Sequence, residues 1–388
     1  MSFYDAIRVG ASGAGDYEVE RSLRFNDDDS PYLSRTPSSA GNRKTFTFSA
    51  WVKRSNLGRG VILGVGTALG SQESGIEFDG DIIRCYQYTG SFNFRIRSTN
   101  QYRDPSAWYH IVFALDTTQA SSNNRAKLYV NGEQVTDLGA NEQPSQNLDV
   151  SFINTTTEHR IGQLLGSHKF DGYMAEINFI DGFQYDPSYF GETNALTGQW
   201  NPKKYVGSYG TNGYYLNFSD NSGTTATTLG KDLSGNGNNF TPNNFSVSAG
   251  VGNDSLEDTP TNNFCTLNSI SLGQGNEQNT TFSNGNLDFT DSSSSNRAAI
   301  STFGLKTGKW YYELTCTNNG VYSIGWYDMP NNGGSFYRNN GSYSSSFGGG
   351  GTFGYSSWTT NDVIGVAIDF DSGKIWYAKN NTWQSGDP

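Results

Sequence analysis

The chain has 388 residues, with 47 glycines, 14% aromatic and only 16% charged residues. This length exceeds the ~100 to 200 residues of one ordinary domain, and the composition is typical of short strands joined by tight turns, so we expect an all-β protein of two antiparallel, jelly-roll-like β-sandwiches. Because the formal net charge is −11 and no segment has the ~18 apolar residues of a membrane span, we expect neither a nucleic-acid partner nor membrane insertion.

Residues 1–20 are small and polar and show no apolar periodicity, which predicts an N-terminal arm rather than part of a core. Such an arm becomes ordered only against a partner, so we expect Tyr4, Asp5 and Arg8 to dock onto other proteins of an assembly or to drive oligomerisation. The segment lacks the basic region and apolar run of a secretory signal, and we therefore expect synthesis in the cytoplasm.

Strand patterns begin directly after the arm. Apolar residues alternate with polar ones in "SLRFN" and "FNFRIRS", and "TFTFSAWVKR" places the apolar side chains from Phe46 to Val52 on one face. "GIEFDGDIIRCYQY" predicts two strands joined at Asp79 and Gly80 by a type I′ turn. Strands with one solvated face, as here, are typical of a β-sandwich.

The segment "WYHIVFAL", residues 108–115, has apolar side chains on both faces, which predicts a central strand buried on both sides. His110 lies inside this strand, so we interpret it as a hydrogen-bonded core residue rather than a catalytic one. Asp116 ends the strand and is predicted to cap the following turn. In the next hairpin, Asn131 and Gly132 supply the two positive φ angles that a tight turn requires.

Between residues 186 and 261 the composition shifts to Gly, Asn, Ser and Thr, and "GYYLNFSD" is the one clear strand. Tyr214, Tyr215 and Phe218 would be exposed in a free linker. We therefore expect this segment to be a bridge that packs on the first domain, residues 21–185.

A second sandwich is predicted for residues 262–388. "GKWYYELTC" and "VYSIGWYD" have strand patterns on either side of a "TNNG" turn, and "DVIGVAIDFDSGKIWYAKNN" predicts a hairpin. Between them, residues 331–358 are rich in Gly, Ser and Asn and contain several aromatic residues. This pattern predicts a loop that is either mobile or in contact with a ligand.

The aromatic residues of that loop favour a sugar-binding role. Aromatic rings pack on the apolar faces of pyranoses, while short amides and hydroxyls bind the sugar hydroxyl groups. Tyr337, Arg338, Tyr343 and Trp358 are therefore the candidate glycan-binding residues. A fibrous, protease-resistant surface has the same composition, and composition alone leaves both interpretations open.

The first domain resembles the laminin-G/concanavalin A-like lectin domain, in the version typical of tail-fibre and other virion proteins of marine bacteriophages. Three segments carry the resemblance: "SLRFNDDDSPYLSRTPSSAGNRKTFTFSAWVKR", "WYHIVFALDTTQASSNNRAKLYVNGEQV" and "HKFDGYMAEINFIDG". It implies a lectin-type sandwich with the histidine on a core strand. Members often carry Gly-x-hydrophobic-Asp-Glu in the last strand, whereas Ala175 replaces the acid here, so the resemblance does not imply a family-type calcium site.

The second domain resembles the SPRY (B30.2-like) domain in "GKWYYELTCTNNGVYSIGWYD" and "DVIGVAIDFDSGKIWYAKNN". This resemblance implies another β-sandwich that presents loops for recognition. It stops at Pro388, before the strands that normally close the sandwich. We expect the missing edge to come from further sequence or from a neighbouring subunit, since an unpaired edge strand invites aggregation.

Patterns typical of catalysis are sparse. His110, His159 and His168 lack metal-ligand spacing, and no G-x-S-x-G nucleophile motif occurs, so we expect a protein that is not an enzyme. Acidic loop residues could hold Ca²⁺, which prefers carboxylate and carbonyl oxygens, but the sequence locates no such site and predicts no cofactor.

One pair of carboxylates requires separate consideration. Glu77 and Asp79 share a strand face, as do the catalytic acids of glucanases with concanavalin-like folds. Gly80 interrupts the strand where that motif must continue. We therefore expect the pair to face solvent beside the hairpin.

Composition and resemblance together predict a bacteriophage tail fibre or receptor-binding appendage that attaches the virion to host surface polysaccharide without catalysis. We expect a homo-oligomer, with a trimer favoured, that is made in the host cytoplasm and assembles with other virion proteins. A capsid or tail decoration protein with a purely structural role is the alternative. A polysaccharide depolymerase that uses Glu77 and Asp79 is the second alternative.

Overall fold

A computed structural model describes residues 17–250, 252–272, 280–291, 299–318, 323–328, 333–345 and 354–388. Their regular structure consists of β-strands and two short 3-10 helices, Ser122–Asn124 and Pro187–Tyr189, which confirms the all-β prediction. No helix in these ranges is long or apolar enough to cross a membrane. The described residues form two compact units, the first ending at Phe303 and the second running from Gly304 to Pro388.

The first unit contains two antiparallel sheets of eight strands, with strands numbered in chain order. Sheet I has the order β10-β9-β8-β3-β13-β1-β18, and β16 also pairs with β13. Its strands are β1 (Ser22–Phe25), β3 (Thr45–Arg54), β8 (Trp108–Asp116), β9 (Ala126–Val130), β10 (Glu133–Gln134), β13 (Gly172–Asp181), β16 (Tyr214–Leu216) and β18 (Ser255–Leu256).

Sheet II lies on the other side of the core and has the order β11-β7-β6-β5-β4-β12-β2-β17. Its strands are β2 (Tyr32–Arg35), β4 (Gly60–Ala68), β5 (Gln72–Asp79), β6 (Ile82–Tyr88), β7 (Phe92–Ser98), β11 (Leu138–Glu142), β12 (His159–Ile161) and β17 (Thr241–Asn243). The strand patterns predicted in "SLRFN", "TFTFSAWVKR" and "FNFRIRS" are confirmed by β1, β3 and β7.

The hydrophobic core of the first unit lies between sheets I and II. Side chains alternate along each strand, so one residue in two of β3 and β8 faces sheet II. The inward side chains are at most 1% exposed and include Phe46, Phe48, Ala50, Val52, Ile111, Phe113 and Leu115 from sheet I and Ile76, Phe78, Cys85, Phe94 and Ile96 from sheet II. Burial of each large apolar side chain contributes about 1.5–3 kcal/mol.

Two tight turns test the hairpin predictions. Asn131 and Gly132 have φ angles of 49° and 86° and join Val130 to Glu133, which confirms the type I′ turn. In the β5–β6 hairpin, Asp79 pairs with Ile82, so Gly80 and Asp81 form the turn.

Only the first of these two turn residues, Gly80, has a positive φ, 67°. The predicted I′ turn at Asp79 and Gly80 is therefore wrong. A glycine at the first central position is the pattern of a type II′ turn. At the end of β8, Asp116 Oδ1 accepts a hydrogen bond from the Thr118 amide at 3.0 Å, which confirms the predicted turn cap.

Residues 186–261 cover the outer face of sheet I and complete both sheets. Tyr214–Leu216 is β16, which pairs with β13, and Thr241–Asn243 is β17 at the edge of sheet II. Phe190 and Tyr205 pack against β8 and β13 from outside the sandwich. The remaining strands of this segment, β14 (Gly191–Thr193) and β15 (Trp200–Pro202), pair with each other.

The first unit extends beyond the predicted boundary at residue 262. Two small ladders follow: β19 (Leu267–Leu272) with β22 (Ala299–Ser301), and β20 (Thr280–Ser283) with β21 (Asp288–Asp291). They belong to the first unit because Ser269 Oγ and Asn286 Nδ2 each donate to the Ser55 carbonyl at 2.7 Å. The second unit therefore begins about 40 residues later than the sequence predicted.

The second unit is a smaller pair of sheets. One has the order β23-β27-β28-β29 and the other β24-β25-β26. The strands are β23 (Lys309–Thr315), β24 (Ser323–Asp328), β25 (Gly333–Arg338), β26 (Tyr343–Ser345), β27 (Val363–Asp369), β28 (Lys374–Lys379) and β29 (Thr382–Trp383). The β27–β28 hairpin is confirmed, but β23 pairs with β27 and β24 with β25, so the two strands that flank "TNNG" lie in different sheets.

Candidate functional site

The aromatic loop predicted in the second unit is partly a hairpin, and this changes the role of its residues. Tyr337 is 0% and Trp358 is 4% exposed, and both belong to the core of the second unit. The Tyr337 ring packs edge-on against Trp358 and Tyr377, with centroids 6.2 Å and 5.6 Å away. Strand alternation in β25 directs Tyr337 inwards, so neither residue offers a surface to a glycan, contrary to the sequence prediction.

The other two predicted contact residues are less buried than Tyr337 and Trp358. Arg338 is exposed on the outer side of β25, and Tyr343 is half-buried, with its hydroxyl accepting a hydrogen bond from Ser335 Oγ at 2.9 Å. The proposed docking residues of the arm, Tyr4, Asp5 and Arg8, lie outside the described residues.

The sequence predicted that Glu77 faces solvent. This is wrong, because its side chain is 0% exposed. Its Oε2 accepts from Arg59 Nη2 at 3.0 Å and its Oε1 from Arg84 Nε at 2.8 Å. Asp79 lies nearer the surface and pairs with Arg84 at 3.0 Å. Burial raises the pKa of Glu77, and the two arginines lower it in part. The carboxylate is thus the centre of a structural ion cluster on sheet II.

His110 is fully buried on the outer face of sheet I, as the sequence predicted for a core histidine. Trp200 Nε1 donates to His110 Nδ1 at 3.0 Å, and His110 Nε2 lies 2.8 Å from Ser49 Oγ. Because an indole nitrogen only donates, Nδ1 is the acceptor and the ring proton is on Nε2. Burial lowers the pKa of His110 to about 3, so the ring stays neutral.

A groove of about 910 Å³ opens beside this histidine. Two of its lining residues, Trp51 and Trp200, stack on opposite sides of the buried His110 ring, with centroid distances of 4.9 Å and 6.0 Å. Trp108, at the start of β8, also lines the groove. Of the three tryptophans, Trp200 is the most exposed. We call this site the tryptophan groove.

Two glycines make room for Trp200. Its ring lies so close to Gly132 and Gly191 that a Cβ added to either would stand 2.6 Å or 2.5 Å from ring carbons. The turn glycine of the β9–β10 hairpin therefore has two functions, since it also adopts a positive φ. The hydrogen bond to His110 then fixes the rotation of the indole.

The groove wall formed by residues 258–264 is anchored by a buried lysine. Lys53 Nζ donates to Asp258 Oδ2 at 2.9 Å, to Asn263 Oδ1 at 2.9 Å and to the Phe264 carbonyl at 2.7 Å. Trp108 Nε1 donates to the other oxygen of Asp258 at 3.2 Å. All three ammonium protons are thus used within the protein, and the wall is held rigidly against sheet I.

The rim of the groove is polar. Asn131 Oδ1 accepts from the His110 amide at 2.8 Å, which leaves its NH₂ group on the groove side of the hairpin without a protein partner among the described residues. Exposed amide and carboxylate side chains complete the rim: Asn100, Gln134, Gln199, Glu133 and Asp137. The groove thus combines a rigid aromatic floor with short hydrogen-bonding groups.

A second groove, of about 490 Å³, differs in chemistry. It is lined by polar residues that include Arg35, Glu158 and Asn238, and no aromatic side chain is among its described lining residues. Arg35 is already bound to the Asn212 carbonyl and to Asn238. The second groove therefore lacks the apolar platform that the tryptophan groove offers.

A metal centre is not located in the described parts of the chain, where no group of three or more His, Cys, Asp or Glu side chains is arranged to hold an ion. At the position where the family resemblance would place acids, Ala175 is buried and Glu176 accepts hydrogen bonds from Tyr17 and Tyr215 at 2.6 Å and 2.8 Å. Burial raises the pKa of Glu176 to about 7. This carboxyl anchors the chain where the arm ends.

Comparisons with known families match both units. Residues 27–182 match the family model of the concanavalin A-like lectin/glucanases superfamily, laminin G type, and residues 309–386 match the SPRY domain. The first match includes β8, the strand that carries His110, and most strands of sheets I and II, but β1, β16, β17 and β18 lie outside it. The second falls entirely within the second unit.

Several solved structures are similar to the chain. A candidate carbohydrate binding protein from Bacteroides ovatus is 17% identical over 59% of this chain and 60% of its own, with a TM-score of 0.39. A heptameric SAP-like pentraxin from Limulus polyphemus is 14% identical over 42% of this chain and 77% of its own (TM-score 0.32). Mouse laminin alpha1 domains LG4-5 are 15% identical over 48% of each chain (TM-score 0.31). At these values, none of the three bears on the ligand of this protein.

Proposed function

The chain carries a concanavalin A-like domain of the laminin G type followed by a SPRY domain, and from this premise we propose that its first unit binds glycans without cleaving them. The observation that carries the proposal is the tryptophan groove, in which the partly exposed Trp200 faces an open cleft with an amide-rich rim and the buried Trp51 and Trp108 support it. Indole faces and edges pack on the apolar faces of pyranose rings, and amides bind the hydroxyl groups.

The rigidity of the groove supports binding. Trp200 is held by its hydrogen bond to His110 and by close contact with two glycine positions, and Trp108 by its hydrogen bond to Asp258. Side chains that are already ordered lose little conformational entropy when a ligand binds. A shallow groove can therefore retain a sugar with few direct contacts.

The non-catalytic part of the proposal has its own support. Glu77, the residue that a depolymerase mechanism would require, is buried and has both oxygens bound to arginines. A glycosidase needs two carboxyl groups placed on either side of the scissile bond, with one free to donate a proton. Glu77 is not placed for either role.

We further propose that the protein belongs to a bacteriophage virion, as a tail fibre or receptor-binding appendage that attaches to host surface polysaccharide. Support comes from the sequence resemblance to virion proteins and from the small, polar residues at the N-terminus, which were predicted as an arm over residues 1–20. A homotrimer made in the host cytoplasm and joined to other virion proteins would present three grooves. Weak single-site binding would then add up through effective concentration.

The test is direct binding of the purified protein to a panel of bacterial surface polysaccharides, with Ca²⁺ and after chelation. We expect saturable binding that the Trp200→Ala variant loses and the Trp383→Ala variant keeps, because Trp383 lies in the second unit and outside the groove. Thermal melting of both variants controls for folding. If folded protein binds no glycan, the decoration protein becomes the better interpretation, and loss on chelation would reinstate a calcium site.

A further inference from the structure

The charges around the tryptophan groove limit which glycans it can hold. We propose that the groove takes polysaccharides whose sugars carry no acidic groups, and that it rejects uronates, sialic acids and sulfated or phosphorylated sugars. This inference rests on the proposed glycan-binding function and adds the class of ligand.

The charged side chains that line the groove are both acidic. Glu133 and Asp137 are exposed on the rim, and no Lys or Arg is among the described residues that line it. A carboxylate accepts hydrogen bonds but donates none, so these two residues suit sugar hydroxyl groups as partners. Their negative charges repel a carboxylate or sulfate group on a ligand.

The lysine behind the groove wall is not available to an anion. Lys53 is 0% exposed, and its three ammonium protons are used by Asp258, Asn263 and the Phe264 carbonyl. Asp258 also compensates the charge of Lys53 directly in a 2.9 Å ion pair. Recognition of acidic groups normally depends on arginine or lysine with free donors, and neither lines the groove in the part of the chain that the structure describes.

The imidazole donor and two of the three indole donors of the groove are likewise used within the protein, and the third, Trp51 Nε1, is buried. Trp108 Nε1 binds Asp258 and Trp200 Nε1 binds His110. The His110 ring is neutral, because burial lowers its pKa to about 3. No positive charge therefore develops on the groove floor between pH 5 and 8, and the preference for uncharged sugars should hold across that range.

The size of the discrimination follows from Coulomb's law. At effective dielectric constants typical of a protein surface, a glycan whose acidic group lies about 6 Å from a carboxylate binds on the order of tenfold or more weakly than its neutral counterpart. Two rim carboxylates together make an acidic glycan a much weaker ligand than its neutral counterpart. Added salt reduces this difference, since both carboxylates are exposed.

The experiment compares matched neutral and acidic probes by calorimetric titration at low salt. Amylose, glucomannan and a soluble β-glucan without linkages through C6 are the neutral probes, since their C6 hydroxyls are free, and the C6-oxidised polyuronate of each, together with hyaluronan and polysialic acid, are the acidic probes. We expect the intact protein to bind at least one neutral probe, and to bind its oxidised form at least tenfold more weakly. The Glu133→Gln/Asp137→Asn double variant should regain at least part of the affinity for the oxidised form.

The matched control is Asp149→Asn, which removes an exposed carboxylate of the first unit that does not line the groove and should leave both affinities unchanged. If an acidic probe binds as tightly as its neutral parent or tighter, and Trp200→Ala abolishes this binding, the charge inference is overturned while glycan binding stands. If no probe of either class binds, the proposed function fails and this inference fails with it.

Discussion

His110 shows how burial decides the chemistry of a residue that could otherwise be catalytic. The ring lies between two tryptophans, both nitrogens have partners inside the protein, and burial lowers its pKa to about 3. A neutral imidazole with no free lone pair or proton can transfer nothing to a substrate. Its function is to hold Trp200 at the floor of the groove.

The lowered pKa of His110 makes folding stability dependent on pH. Its folded pKa lies below the unfolded value of about 6.5, so its contribution is complete above that pH and is lost as the pH falls towards 3. We expect wild type to lose about 1.4 kcal/mol of unfolding free energy per pH unit below pH 6 relative to His110→Gln. Urea denaturation of both proteins from pH 4 to 8 measures the difference.

The comparison with the variant is necessary because two carboxyls act in the opposite direction. Burial raises the pKa of Glu176 and of Asp171 to about 7, so each contributes most at low pH and loses its contribution as the pH rises towards 7. Both are present in wild type and variant and cancel in the difference. Parallel pH profiles would mean that His110 has the same pKa in the folded and the unfolded protein, which would contradict the lowered value.

Glu77 provides the second prediction at this scale. Replacing it by Gln leaves Arg59 and Arg84 facing each other without a carboxylate in a buried site. Breaking a buried ion pair costs about 3–5 kcal/mol, and because both arginines reach water in part we expect about 3 kcal/mol by urea denaturation. The control Asp79→Asn, whose carboxylate is 30% exposed, should cost less than about 1 kcal/mol.

A stable Glu77→Gln variant would contradict the structural role given to this residue. If the wild-type protein also released reducing ends from a polysaccharide and the stable variant did not, the depolymerase interpretation would replace the binding one. Stability and cleavage are thus to be measured on the same preparations.

At the scale of elements, the β9–β10 hairpin couples turn geometry to the groove. In Gly132→Ala the new Cβ would stand 2.6 Å from the Trp200 ring and would force a positive φ on alanine. We expect a loss of about 1–3 kcal/mol in stability, weaker glycan binding by tenfold or more, and a changed tryptophan fluorescence spectrum.

Gly80→Ala is the matched control for this prediction. Gly80 also has a positive φ, 67°, but nothing lies within 4 Å of an added Cβ. Its replacement should cost about 1 kcal/mol of strain and leave glycan binding intact. Equal losses of binding in both variants would show that Trp200 is not set by contact with the hairpin.

The sequence was informative about elements whose pattern is local. Alternation located β3 and β7, and the apolar run of β8 correctly predicted burial on both faces, which in turn requires a covering segment outside the sheet. Prediction from the sequence failed where pairing with a strand elsewhere in the chain overrides the local composition. Residues 333–338 have the glycine and serine content of a loop but form β25 because β24 pairs with them, and this buries Tyr337.

The tryptophan groove could not be predicted because its parts come from β3, β8 and β15. The signal that existed was indirect: a strand apolar on both faces, and one tryptophan at position 200 in the bridge expected to pack on the first domain. The ion pair of Glu77 with Arg84 lies within one hairpin and could have been predicted from the sequence. Correct placement of the turn at Gly80 and Asp81 puts Arg84 directly opposite Glu77 across the hairpin.

At the scale of the whole molecule, the division into two units predicts two unfolding events. The core of the first unit draws on both eight-stranded sheets, whereas the main cluster of the second contains six buried residues among those described. Calorimetric enthalpy scales with the number of residues that unfold together, so the first unit should give the larger of two transitions. A single cooperative transition would instead mean that the units stabilise each other.

Ligand binding then locates the functional site without any substitution. A glycan at 100 times its Kd adds about 2.7 kcal/mol to the unit that binds it and nothing to the other. We expect the larger transition alone to move to higher temperature, and Trp200→Ala to abolish the shift. A shift of the smaller transition would place the binding surface on the SPRY domain, where Arg338 and Tyr343 are the predicted contact residues that the core of the second unit does not enclose.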